Sequence, residues 1–260
     1  MKKLLLVPLL AAATLVSFQA AAGQIKVGAV PTPHTPILEF VKPLLAKQGV
    51  ELEIVGFSEA IQPNLATADG SIDANYTQHQ PYLDAFVKEH GSSLVSIGGI
   101  HIEPIGLYSS KIKDIKDLKD GGKIAIAFDP ANAGRSLILM QKHGLIKLKE
   151  SGNISSTVHD IIENKRNLQF IEIDPALMPR SLDDSDGAII TTNYVIEAGL
   201  NPLEDAILIE DKESPYINII VAKKGRENDE DLKKLVSTLR TEEVRQFMLR
   251  KFRGAVVPAF

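Results

Sequence analysis

The chain has 260 residues, 44% of them hydrophobic and 24% charged, enough to bury one large core or two smaller ones. Its net charge of −4, with the basic residues dispersed, argues against nucleic acid or an anionic membrane as partner. No cysteine is present, which removes thiol nucleophiles, thiolate metal sites and disulfides together.

Taken in chain order, Lys2 and Lys3, the apolar run from Leu4 to Val16 and the small residues Ala20-Ala21-Ala22-Gly23 have the order of a signal peptide. Residues 1–22 are therefore set apart from the fold. A periplasmic protein is expected, not lipid-anchored through cysteine. Ile25 to Val30 reads as a strand, and Pro31-Thr32-Pro33-His34-Thr35-Pro36 as a loop that no helix absorbs. Ile37 to Lys47 is helical in period, and Glu51 to Phe57 alternates as a strand. A helix follows Pro63. A short strand then runs into Asn75, ahead of a helix from Pro81 to His90.

Gly98-Gly99 and the run from Ile100 to Ser109 read as extended chain leaving one sheet for another. Lys123–Phe128 starts a fresh strand, 129–134 is a turn, and a helix is expected from Arg135 to His143. Strands at Leu168–Ile173, Gly187–Thr191, Ala206–Glu210 and Ile217–Ala222 precede closing helices at Asp231–Leu239 and Thr241–Lys251. Strands alternating with helices at this spacing predict an α/β fold of two lobes, each a mostly parallel sheet flanked by helices. Lobe 1 is expected over 23–107 plus 220–260 and lobe 2 over 108–219, joined by two crossover segments.

Two loops could carry chemistry. Asp73 to Leu83 holds Asn75, Tyr76, His79 and Tyr82 at a strand-to-helix junction, where α/β proteins meet ligands. Its residues alone leave open a plain capping loop or a binding loop. The turn at 129–134 precedes Arg135, whose guanidinium and an adjacent helix N-terminus suit a carboxylate; a surface arginine beside an ordinary turn fits equally. G-x-S-x-G, G-x-G-x-x-G, P-loop and H-E-x-x-H motifs are all missing, so no enzyme and no cofactor are expected. His101-x-Glu103 offers two metal ligands, but a zinc site needs a third or fourth placed by the fold, and no metal is expected.

The ordered residues Gln62-Pro63-Asn64, Asp73-Ala74-Asn75, Gln78-His79, Pro81-Tyr82-Leu83 and Glu103-Pro104 begin a longer pattern. Asp129-Pro130, Gly134-Arg135, Pro179 to Asp184, Asn193-Tyr194, Glu197 to Pro202 and Ser214-Pro215-Tyr216 with Asn218 continue it. Across roughly residues 24–250 the chain resembles the NlpA-type methionine-binding lipoproteins, the substrate-binding proteins of methionine ABC transporters. That resemblance implies a type II periplasmic-binding-protein fold, a monomer, that closes over a free, methionine-like amino acid. It also implies an inner-membrane ABC permease and its ATPase as partners. Arg135 would pair with the ligand carboxylate, Asn193 and Asn218 would bond its amino and carboxylate groups, and His79 and Tyr82 would line the side-chain pocket. The chain departs from the family at Thr77 and Ala60, where aromatic residues contacting the ligand are usual, and in lacking the lipid-bearing cysteine. Tyr76 could swing in to compensate. Another amino acid, a dipeptide or a small organic anion is the alternative cargo, and an exported enzyme on the same frame the remote one.

Overall fold

Ile37, Leu38, Val41 and Leu45 recur at helical spacing and are buried along one face of α1 (His34–Ala46), which fixes that helix against a sheet. The computed structural model describes residues 23–59, 61–211 and 214–260; the expected signal segment 1–22 and Ala60 lie outside them. Strands β1 (Gly23–Ala29), β2 (Val50–Gly56), β3 (Ala74–His79) and β4 (Leu94–Ile102) alternate with α1, α2 (Gln62–Asp69) and α3 (Gln80–His90). The chain continues through β5 (Gly106–Tyr108), β6 (Lys123–Ala127), α4 (Pro130–Lys142), β7 (Lys147–Leu148), β8 (Ile161–Glu163) and β9 (Gln169–Ile173). After β10 (Gly187–Ile190) come α5 (Thr192–Glu197), α6 (Pro202–Asp205) and β11 (Leu208–Ile209). The return is β12 (Ile217–Lys223), followed by α7 (Glu230–Leu239), α8 (Glu242–Lys251) and β13 (Val257–Pro258).

One six-stranded sheet has the order β13-β4-β12-β3-β1-β2, and a five-stranded sheet the order β11-β5-β10-β6-β9. Parallel pairing holds where helical connections follow the strands: β1 with β2 and β3, and β6 with β9 and β10. By contrast β12 lies antiparallel between β3 and β4, and β5 antiparallel to β10 and β11. Both sheets are thus mixed where mostly parallel ones were expected. The strands that arrive from the other sheet, β5 and β12, come without a helical crossover, so nothing obliges them to run parallel.

The chain leaves the first sheet after Ile102 and enters the second at Gly106; it leaves again after Ile209 and re-enters at Ile217. Boundaries at 107/108 and 219/220 would cut β5 and β12. The extended run 100–109 has no break strong enough to show where its pairing changes.

Two helix starts also differ from expectation. Helix α1 begins at His34 and takes in Pro36, because a first-turn proline lacks an N–H that would find no partner there anyway. Helix α4 begins at Pro130 rather than Arg135, with the Asp129 side chain accepting from the Asn132 N–H as its cap. Arg135 therefore stands in the second turn, and the Asn132 N–H at the helix start already has the Asp129 carboxylate as partner. One core packs α1, α7 and α8 on the first sheet; another places Leu137, Leu139 and Met140 of α4 against Ile124 and Ile126 of β6.

Candidate functional site

His79 ends β3 and caps α3: its Nδ1 accepts the Tyr82 backbone N–H at 3.2 Å. That leaves the proton on Nε2, which donates to Oδ1 of Asn132 in α4 at 3.0 Å. Asn132 in turn donates to both carboxylate oxygens of Asp129 at 3.1 Å. A continuous chain of hydrogen bonds thus joins the first sheet's α3 to the second sheet's α4. The His79 ring lies edge-on to Tyr82 and Tyr216, with centroids 6.3 and 5.0 Å away. Burial and then the Arg135 charge push its pKa down to about 3, so the ring is neutral.

Arg135 is 2% exposed. Its Nε donates to Glu210 Oε1 at 3.1 Å and its Nη2 to Glu210 Oε2, a two-pronged pair. Nη2 also reaches the Glu103 carbonyl at 2.8 Å, and the guanidinium lies 4.2 Å over the Tyr216 ring. The fork expected to clasp a ligand is thus engaged by Glu210. Nη1 has no hydrogen bond among the described residues. Because Glu210 and Glu103 flank the two sheet-to-sheet crossings, the pair also ties those crossings together. One residue before Arg135, Gly134 lets the 154–156 segment pack closely on α4: a Cβ there would sit 2.2 Å from the Ile154 carbonyl oxygen. Gly134→Ala is expected to shift α4 and cost about 1–3 kcal/mol, measured by urea denaturation, with ligand affinity falling in parallel.

Asn218 on β12 is 5% exposed, and its Oδ1 accepts from His34 Nε2 at 3.1 Å. His34 Nε2 is 3.5 Å from Glu103 Oε1, and His101 Nε2 is 2.9 Å from the same oxygen. The Asn193 backbone lies beside the Glu103 carboxylate and lowers its pKa against the effect of burial, and the Asn193 side chain accepts from Thr191 Oγ1 at 2.6 Å. Arg135, Asn193 and Asn218, far apart in sequence, therefore converge on Glu103 and His34. None of Glu103, His34, Asn132, Glu210 or Tyr216 is among the expected ligand-binding residues. Burial lowers His34 to about 4 and His101 to about 3, and raises the Glu103 carboxyl.

The Asp73–Leu83 stretch divides. Register along β12 runs from Gln78↔Ile219 to Tyr76↔Ile220, leaving Thr77 as the extra residue of a bulge. The bulge puts Gln78 on the side of Asn75, where both bond Asn64 in a buried amide cluster with Thr67. Tyr76 points to the opposite side, fully buried, with its hydroxyl on His101 Nδ1 and its ring edge-on to His34. It does not swing toward Thr77, whose Oγ1 meets Asn75 Oδ1 at 3.3 Å. Tyr82 stays half-buried, and its hydroxyl pKa is raised by burial and then by Asp129.

The NlpA lipoprotein family model matches residues 25–260. D-methionine-binding lipoprotein MetQ of Escherichia coli K12 is 42% identical over 236 residues, covering 90% of this chain and 87% of MetQ. Among solved structures, a nutrient-binding protein from Burkholderia cenocepacia bound to methionine is 42% identical with a TM-score of 0.88, covering 91% of this chain and all of that one. An ABC transporter periplasmic substrate-binding protein from Coxiella burnetii is also 42% identical, with a TM-score of 0.87 over 90% of this chain and 100% of that one.

Proposed function

From the premise that the chain belongs to the NlpA lipoprotein family, a family of substrate-binding proteins, we propose that it captures a free amino acid, methionine or a close relative, for an ABC importer. The observation that carries this reading is that Arg135 of α4 and His79 of β3 pack on the same Tyr216 ring, with Asn218 paired beside His79 and Tyr82 edge-on to it. A zwitterion taken out of water must be both paired and hydrogen-bonded, or desolvation defeats binding. Arg135 Nη1 supplies the charge for the carboxylate, the asparagine amides bond both head groups, and His79, Tyr82 and Tyr216 present aromatic surface that a polarizable thioether favours. The lobes close about the two crossings, enclosing the ligand and presenting a joined surface to the permease. The importer's membrane subunits and ATPase are the partners, and the periplasm, reached through the 1–22 signal segment, is the compartment. No helix among the described residues is long and apolar enough to cross a membrane.

Thr77 motivates the second reading, a different side chain in the same site, because it is small and half-buried where relatives are expected to carry a ring. Mass spectrometry of the solute released from natively purified protein separates the two. Methionine supports the first, a larger or more polar amino acid the second, and a solute without an α-amino-acid head contradicts both.

A further inference from the structure

We propose that His34, His101 and Glu103 form a binding site for one divalent transition-metal ion of the zinc class, bordering the amino-acid residues at Asn218 and argued from different observations. The three come from the first turn of α1, the end of β4 and the first crossing between sheets, so no linear motif announces them. Their ligating atoms all lie within 4.8 Å of one another, and among the described residues this is the one cluster of its kind.

Zinc–nitrogen and zinc–oxygen bonds of about 2.0–2.2 Å in a tetrahedron put neighbouring ligand atoms about 3.3–3.5 Å apart. The 3.5 Å from Glu103 Oε1 to His34 Nε2 matches that spacing, and the 2.9 Å to His101 Nε2 is a few tenths of an ångström short of it. Asn218 Oδ1, 3.1 Å from His34 Nε2, is a neutral oxygen in reach as a fourth ligand. Two imidazoles and one carboxylate favour zinc-like ions over magnesium or calcium, which take oxygen.

The surroundings suit a metal. A ligating histidine uses its other ring nitrogen on a fixed partner, and Tyr76 holds His101 Nδ1 in that way; its hydroxyl can accept as well as donate. His34 Nδ1 is buried, with no hydrogen-bond partner among the described residues, so it can carry the proton that Nε2 would give up. The buried Glu103 carboxylate has only these two histidines at ion-pair distance among the described residues, since Arg135 bonds its carbonyl instead. A cation would supply the missing counter-charge.

The test is zinc titration of the whole mature protein against a competing chromogenic indicator, followed by metal analysis after gel filtration. It is run on native protein and on protein refolded in zinc, because all three ligands are buried. One equivalent retained by the wild type, and lost in His34→Gln and Glu103→Gln, is expected. Tyr76→Phe, which removes only the outer hydroxyl, is expected to weaken zinc about 10-fold while keeping the fold, checked by circular dichroism. No retained zinc under either condition, or equal retention by His34→Gln and Glu103→Gln, overturns the proposal. Amino-acid calorimetry in the presence of a chelator is a separate readout, so either reading can fail without the other.

Discussion

Replacing Arg135 with methionine is expected to abolish amino-acid binding and to lower stability by about 1–3 kcal/mol, because the part-buried Glu210 loses its partner. Adding Glu210→Leu removes that stranded charge, and the double variant is expected to regain most of the stability, as apolar replacements of a buried pair generally do. Binding is not expected to return, since the ligand carboxylate still lacks its guanidinium. Urea denaturation and calorimetry on both variants separate the two roles. Wild-type affinity in the single variant would contradict the carboxylate-binding role, and recovered affinity in the double variant would reduce Arg135 to a brace between the crossings.

Acid is the second strong lever. Burial, in every case the leading cause, holds His34 at about 4 and His79 and His101 at about 3, against an ordinary value of 6.5. Between those values and 6.5 the unfolded chain binds protons that the folded chain refuses. Stability therefore falls as pH drops through that window, by about 1.4 kcal/mol per pH unit for each histidine. Glu103 and Asp129, raised by burial, act the other way and offset part of the loss, since the folded state takes up their protons first. The thermal midpoint is expected to fall from pH 7 to pH 5, and His79→Asn to flatten that slope. A midpoint unchanged over this range contradicts neutral buried imidazoles.

The βαβ halves and the closing helices were legible in the sequence because their apolar periods are long and regular, as in α7, where Leu232, Leu235, Val236 and Leu239 are all buried. What periodicity misses is pairing. The antiparallel direction of β12 depends on which sheet it returns to, and the Thr77 bulge on a register that exists only once β12 lies beside β3. The start of α4 was misread because Pro130 reads as turn chemistry, although a proline in the first helical turn behind a capping aspartate is equally good helix chemistry.

The site was half visible. His79, Tyr82, Arg135, Asn193 and Asn218 stood out as polar residues in a resemblance. Their links through Glu103, His34 and Glu210 join residues 32 to 184 positions apart, as in Arg135 to Glu103 and His34 to Asn218, a distance no local pattern spans. His101-x-Glu103 was noticed as two ligands without a third, and only the fold supplies His34.

The central claim is that this chain binds a free amino acid between its lobes. Calorimetric titration with L- and D-methionine, on protein unfolded and refolded to strip carried-over solute, tests it most directly. One equivalent bound with a dissociation constant of about 1 μM or tighter, near −8 kcal/mol, is expected for at least one enantiomer. No heat and no thermal shift with methionine or any other α-amino acid would contradict the account.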